Sequence, residues 1–211
     1  MLRTGVIALQ GDVSEHVHSL KRAAAHMGIE IEVVPIRRRG TVPSCDVLVL
    51  PGGESTTLCR LLSQEGILEE LVDAAHRGMP ILATCAGLIV LASEGDELVE
   101  RTGQRLAGVL DIAVRRNAFG RQRESFEAPV EVKGIGTFPA VFIRAPAVER
   151  VGEAVEVIAT LDGRIVGVQQ DNTVAVAFHP ELTEDVRLHA YVLSLALGSG
   201  TTSSPCTTSS P

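Results

Sequence analysis

The sequence predicts an α/β fold: a doubly wound, mostly parallel sheet with helices on both faces and an antiparallel β extension. Three observations predict it. The first half carries four short apolar runs, each separated by helical or loop sequence, the pattern of parallel strands buried on both faces. From about residue 110 the pattern changes to closely spaced strand-like segments. With 211 residues, 45% of them apolar, the chain can bury one sizeable core.

The elements follow in order. Residues 6–9 form an apolar run stopped by the turn Gln10-Gly11. Asp12 stands three residues before Glu15, a capping-box spacing that opens a helix through residue 25. Further strands are expected at 31–34, 47–50 and 81–83. In the second half, strands are expected at 112–114, 130–132, 141–143, 155–159, 165–169 and 174–178. A last helix is expected over 183–197, with Thr183 as N-cap and Glu184 and Asp185 complementing the dipole of its first turn. Residues 1–198 then make one domain. The Ser/Thr/Pro-rich residues 199–211 carry almost no apolar side chains to bury and are expected to be a disordered tail.

Composition narrows the partners. A net charge of −7 argues against a surface built to neutralise phosphates, so no nucleic acid is expected. Arg37, Arg38 and Arg39 are the local exception and read as a solvated loop. Cys45, Cys59, Cys85 and Cys206 form no CxxC pair, so neither a zinc site nor a disulfide framework is indicated, and reduced thiols in a cytoplasm fit. The opening MLRTGVIALQG lacks a signal-peptide layout, and no apolar run approaches the roughly 20 residues that span a bilayer. A cytoplasmic protein without membrane contact, metal or cofactor is expected.

Three motifs carry chemistry. PILATCAGLIVLA sets Cys85 between a strand and an apolar helix, the layout of a nucleophile elbow. There the helix N-terminus favours a thiolate, and the Ala86 N–H can help hold an oxyanion. A lone cysteine is also commonly a buried core residue. Leu50-Pro51-Gly52-Gly53-Glu54-Ser55 follows the third strand, and its paired glycines can turn a peptide N–H toward a ligand. By itself it is equally a strand-to-helix connection. Phe178-His179-Pro180-Glu181 ends the final strand, where side chains two apart in an extended chain share a side, so Glu181 can orient His179. The carboxyl ends of strands are where open α/β sheets bind ligands. His16 and His18, two apart on a helix, share no face and read as ordinary helix positions, and His26, His76 and His189 have no partner at metal spacing.

With these residues assembled, the sequence resembles the glutaminase subunits of pyridoxal 5'-phosphate synthases, a family of class I glutamine amidotransferases, over nearly all of residues 2–198. The strings that carry it are GVIALQGDVSEHVHSL, LPGGESTTLCRLL, TCAGLIVLA, RRNAFGRQRESFEA, VFIRAP and FHPELTED. The resemblance implies hydrolysis of L-glutamine to glutamate and ammonia through a thioester on Cys85, with His179 and Glu181 completing a catalytic triad. It implies an oxyanion hole from Gly53 and Ala86, and glutamine-binding positions at Gly53, Glu54, Ser55, Arg116, Ile143 and Arg144. It also implies a barrel-shaped synthase (lyase) subunit that receives the ammonia. Ala83 departs from the family's usual Gly-Thr-Cys elbow. The alternatives are a glutaminase of another pathway, such as imidazole glycerol phosphate synthase, against which RNAFGRQ and FIRAP count, and a noncatalytic regulatory subunit of the same fold.

Overall fold

The computed structural model describes residues 1–120 and 125–198. The expected tail with Cys206, and residues 121–124 of the RRNAFGRQRESFEA segment, lie outside the described residues. In chain order the first half runs β1 (Leu2–Ile7), α1 (Val13–Met27), β2 (Ile31–Ile36), β3 (Val47–Leu50), α2 (Ser55–Gln64), α3 (Ile67–His76), β4 (Ile81–Thr84) and α4 (Ala86–Leu91). The second half runs β5 (Ala92–Glu94), α5 (Glu97–Thr102), β6 (Leu110–Arg115), β7 (Ser125–Val132), β8 (Gly136–Ile143), β9 (Ala147–Val151), β10 (Glu156–Leu161), β11 (Arg164–Gln170), β12 (Thr173–Val176) and α6 (Arg187–Gly198).

The strand order β2-β1-β3-β4-β12-β11-β10-β7-β8 joins a parallel half to an antiparallel one. β1 pairs in parallel with β2 and β3, β3 with β4, and β4 with β12. From β12 outward the pairings to β11, β10, β7 and β8 are antiparallel. Pro35 lies in β2, at the sheet edge, where a missing N–H disturbs no inner ladder.

Side-chain alternation splits the core in two. Leu48, Leu50, Ile81 and Ala83 face one apolar cluster, which α2, α3 and α4 cover with Leu58, Leu62, Leu71 and Leu88. Val47, Val49 and Leu82 face the other, which α1 and α6 cover with Leu20, Val192 and Leu193. Strands β3 and β4 are buried throughout, so both faces need apolar residues and the runs read as continuously apolar.

The extension is cored by aromatics. All five phenylalanines, Phe119, Phe126, Phe138, Phe142 and Phe178, gather there. Phe142 is the hub: it stacks on Phe126 at 4.8 Å and meets Phe178 edge-on at 5.7 Å between ring centroids. No helix among the described residues is long and apolar enough to cross a membrane.

The expected element types stand, and the differences fall at their ends. The final strand stops at Val176 rather than 178, and Pro180–Leu182 form a 3-10 turn. The last helix begins at Arg187, not at 183. Thr183 instead donates to the Pro180 carbonyl and accepts from the Asp185 N–H, and the Asp185 carboxylate takes the Arg187 N–H at 3.0 Å. Capping thus falls to Asp185, because Thr183 is occupied by the turn before it. The segment 147–151, unassigned from sequence, is β9, paired with β6 and β11.

Replacing Phe142 by Ala should remove about 3–5 kcal/mol of stability, since a fully buried ring that touches three others leaves a cavity the sheet cannot close. Urea unfolding checks this, and a loss under about 1 kcal/mol would mean that the extension repacks.

Candidate active site

Cys85 follows β4 directly and has φ 48° and ψ −106°, a conformation open to few residues that carry a Cβ. Its N–H donates to the Val176 carbonyl at 2.8 Å, so the neighbouring strand β12 holds the turn in place. The chain enters α4 at once, which leaves the Ala86 and Gly87 N–H groups without partners inside the helix. Gly87 is required by space, since a Cβ there would stand 2.5 Å from the Leu50 carbonyl oxygen. Ala83 sits inside β4, fully buried, in register with Ala175 and Leu50. The positive φ of the elbow belongs to Cys85 and not to Ala83, so a methyl group at 83 is accommodated.

The glycine-rich loop after β3 passes between nucleophile and base. A Cβ on Gly52 would lie 2.8 Å from His179 Cε1 and 3.2 Å from Cys85 Cβ. Gly53 takes φ 134°, which favours glycine. The Gly52 carbonyl is turned against Gly11, where an added Cβ would come within 2.2 Å of its oxygen. Gln10 meets the backbone N–H and carbonyl of Glu54 with its amide, at 3.1 Å each. The loop thus rests on the turn that ends β1.

Glu54 caps α2 by accepting the N–H groups of Thr56 and Thr57 at 3.0 and 2.8 Å. Burial raises its carboxyl, but these bonds outweigh burial and bring it down to about 2. Arg116, mostly buried, donates to Glu54 at 3.3 Å and to the Thr56 hydroxyl at 3.4 Å. The Ser55 hydroxyl is buried and has no hydrogen-bond partner among the described residues.

His179 and Glu181 come together by a different geometry from the extended chain expected. His179 precedes the 3-10 turn, and that turn swings Glu181 back so that Oε1 lies 2.8 Å from His179 Nδ1. The His179 N–H is fixed to the Val141 carbonyl of β8 at 2.8 Å. Burial lowers the His179 imidazole, but hydrogen bonding to Cys85 and Glu181 and the charge on both outweigh it, pushing it up to about 10. Burial raises the Glu181 carboxyl, and the imidazoles of His16 and His179 reverse that, holding it below the usual carboxylate range.

Three residues, His16 of α1, Asp12 just before it and His189 of α6, belong to this neighbourhood and were not recognised from sequence. His16 is fully buried and reaches Glu181 Oε2 at 3.4 Å, so reading it as an ordinary helix position is corrected. His189, also fully buried, contacts His16 at 3.0 Å and is no isolated residue either. Asp12 makes no side-chain cap to α1, and its carboxylate instead lies 3.7 Å from His179 Nδ1. The signal was the spacing of four from Asp12 to His16, which places both on one helix face; pairing His16 with His18 obscured it. Asp12, His179 and Glu181 bring ligand atoms within 4.8 Å of one another and could hold a divalent cation, although the direct Glu181–His179 bond already occupies Nδ1.

A cavity of about 510 Å³ opens at the carboxyl ends of β1, β3 and β4. Cys85, Ala86 and His179 line it together with all six positions expected to bind glutamine, Gly53, Glu54, Ser55, Arg116, Ile143 and Arg144. Glu181 lies behind His179, out of the cavity and nearly inaccessible to solvent. Ile143 and Arg144 arrive at the end of β8, with Arg144 at φ 45°, which bends the chain out of the strand and over the cavity.

The model of the SNO glutamine amidotransferase family matches residues 6–196. Among curated proteins, the pyridoxal 5'-phosphate synthase subunit PdxT of Methanosarcina mazei is 57% identical over 197 residues, covering 93% of this chain and 99% of that protein. The subunit of the same name from Archaeoglobus fulgidus is 53% identical over 194 residues, covering 92% and 98%. A crystal structure of a glutamine amidotransferase superposes with a TM-score of 0.80 at 47% identity, covering 92% of this chain and 98% of that one. A glutamine amidotransferase from Thermotoga maritima, 14% identical and covering 94% of this chain and 97% of its own, shares the fold at a TM-score of 0.59. Agreement along nearly the whole of the described chain in sequence and in structure leaves one assignment: the chain belongs to the SNO glutamine amidotransferase family.

Proposed function

We propose that this chain hydrolyses L-glutamine to L-glutamate and ammonia through a thioester on Cys85, and that it supplies the ammonia to a pyridoxal 5'-phosphate synthase subunit. The observation that carries the reading is the convergence of Cys85, at the start of α4, and His179, backed by Glu181, on one cavity of a size for a small amino acid. The kinship with synthase subunits of that name supports the destination of the ammonia.

The geometry supports a definite proton route. Glu181 holds the Nδ1 proton of His179, and Nε2 bears the second proton of the imidazolium, the one drawn from Cys85. Cys85 Sγ, its proton already on His179, attacks the carboxamide carbon as the thiolate. The oxyanion is met by the Ala86 N–H at the start of α4 and by the Gly53 N–H. The tetrahedral adduct collapses as His179 returns the proton to the departing nitrogen, releasing ammonia and leaving the glutamyl thioester. Water, deprotonated by the His179 that ammonia release has left neutral, attacks the thioester; glutamate leaves and the Cys85 thiolate is restored beside the imidazolium. Glu181 stays ionised throughout and stabilises the imidazolium.

The same cavity recognises the two charged ends of glutamine. Arg116, steadied by Glu54 and Thr56, offers a cation to the carboxylate. The unpartnered Ser55 hydroxyl and the backbone near Ile143 supply further polar contacts.

Cys85→Ala should abolish glutamine hydrolysis while leaving the fold intact, and a complex carrying it with the synthase subunit should still make pyridoxal phosphate from ammonium salts. Ammonia release by this variant near the wild-type rate would remove Cys85 as nucleophile. A second expectation follows from His179. A histidine raised to about 10 keeps its proton below that value, so kcat/KM should stay level from about pH 7 to about 9 and fall as pH rises through about 10. A basic limb near the ordinary histidine value would show that Cys85 and Glu181 do not hold the imidazolium. Gly52→Ala, which crowds His179 Cε1, should lower kcat about 100-fold with little change in melting temperature. Unchanged kcat would mean that the loop does not set the Cys85–His179 separation.

A further inference from the structure

Behind the cavity lies a second set of buried polar groups that the proposed chemistry does not use. Glu181 gives Oε1 to His179, while Oε2 faces away from the cavity. Among the described residues, Oε2 has no hydrogen bond of good geometry, and its ionic partner is His16 Nε2 at 3.4 Å. The same nitrogen lies 3.3 Å from the Thr84 hydroxyl, on the residue before Cys85. His16 Nδ1 lies 3.0 Å from His189 Nε2 on α6. Both His16 and His189 are fully buried.

The chain of contacts has a closed end, which decides every proton in it. His189 Nδ1 is buried without a partner. A hydrogen on it would be an orphaned donor, which buried sites avoid more strictly than an unused acceptor. His189 therefore carries its proton on Nε2 and donates to His16 Nδ1. Burial, with His16 alongside, pushes the His189 imidazole down to about 3, in keeping with a neutral ring. His16 Nδ1 is then an acceptor, and its own proton sits on Nε2, bonded to the Thr84 hydroxyl at 3.3 Å with Glu181 Oε2 at 3.4 Å beside it. Glu181 thus has an imidazole beside each oxygen, hydrogen-bonded at Oε1 by the one that faces the substrate and approached to 3.4 Å at Oε2 by the one that does not.

We infer that His16 is a positioning residue for this glutaminase, the donor that holds the second oxygen of Glu181, with His189 fixing its tautomer. The inference rests on the glutaminase reading. The charged and titratable groups facing Glu181 are His16 from α1, His179 from the turn after β12, and, one residue further, His189 from α6; Asp12 faces the same His179 nitrogen from the mouth of α1. Without the His16 donor, Glu181 should accept a proton at higher pH, and His179 should lose its orienting charge under conditions where the wild type keeps it.

Side-chain reach makes the test specific. A glutamine at 16 can place its amide nitrogen near the histidine Nε2, whereas an asparagine reaches only the Nδ1 position beside His189. His16→Gln should keep kcat within about threefold of wild type. His16→Asn and His16→Leu should lose about 10-fold to about 100-fold in kcat with KM nearly unchanged, and the acid limb of their kcat/KM profiles should move to higher pH. In a Glu181→Gln background, His16→Asn should add less than about twofold, because its effect passes through the carboxylate. Equal activity of the Gln and Asn variants, a loss confined to KM, or additive losses in the double variant would overturn the inference, and the Gln/Asn comparison stands even where the Leu variant does not fold. Cys85→Ala, assayed alongside, separates the two readings. Activity retained there overturns the glutaminase chemistry itself, whereas an inactive Cys85→Ala beside a fully active His16→Asn overturns the role of His16 alone.

Discussion

The backbone of Cys85, at φ 48° and ψ −106°, is the constraint on which the rest of this structure depends. Sparsely populated conformations of this kind cost on the order of 1–3 kcal/mol and persist only where neighbours over-determine them. Here the Val176 carbonyl takes the Cys85 N–H, β12 runs in register beside β4 up to Val176 and Thr84, and α4 is drawn onto the Leu50 carbonyl through Gly87. The strain is thus supported by three separate strands. Its product is a sulfur presented at the mouth of a cavity, with the free N–H groups of a helix start beside it.

The two halves of the sheet divide the work. The parallel half supplies the elbow, the glycine loop and the Gln10–Gly11 turn, all at strand ends of like polarity, as doubly wound sheets do. The antiparallel half supplies what a parallel sheet lacks at that edge. Its β8 strand takes the His179 N–H on the Val141 carbonyl, then bends at Arg144 to place Ile143 and Arg144 on the cavity. The aromatic cluster of Phe138, Phe142 and Phe178 joins β8 to the segment that carries His179, so the base is positioned by the packing of the extension.

Burial organises the electrostatics in layers. His179 at the cavity wall is kept cationic by neighbours whose charge outweighs its desolvation. Glu181, one layer deeper, has no water to stabilise its charge and depends on two imidazoles. His189, deepest, lies next to no carboxylate and remains neutral. A buried carboxylate is tolerable only with partners on its oxygens, so the depth that shields Glu181 from solvent also requires the residues behind it.

The sequence by itself determined the fold class and the three chemical motifs. Short apolar runs such as 47–50, ended by a Pro-Gly-Gly turn, read as strands buried on both faces, and Cys85 between a strand and an apolar helix leaves little choice of turn. The cysteine, glycine and His-Pro-Glu patterns are local, and local patterns can be read along a chain. What was decided in three dimensions is how residues distant in sequence meet. His16 and His189 are 173 residues apart, and no periodicity connects them. Thr183 looked like a helix cap until the 3-10 turn at Pro180–Leu182 claimed it, and Asp12 looked like one while its carboxylate turned to His179. Thr183 exchanged one local role for another, whereas Asp12 turned to a histidine distant in sequence because a buried imidazole without partners costs more than a missing cap.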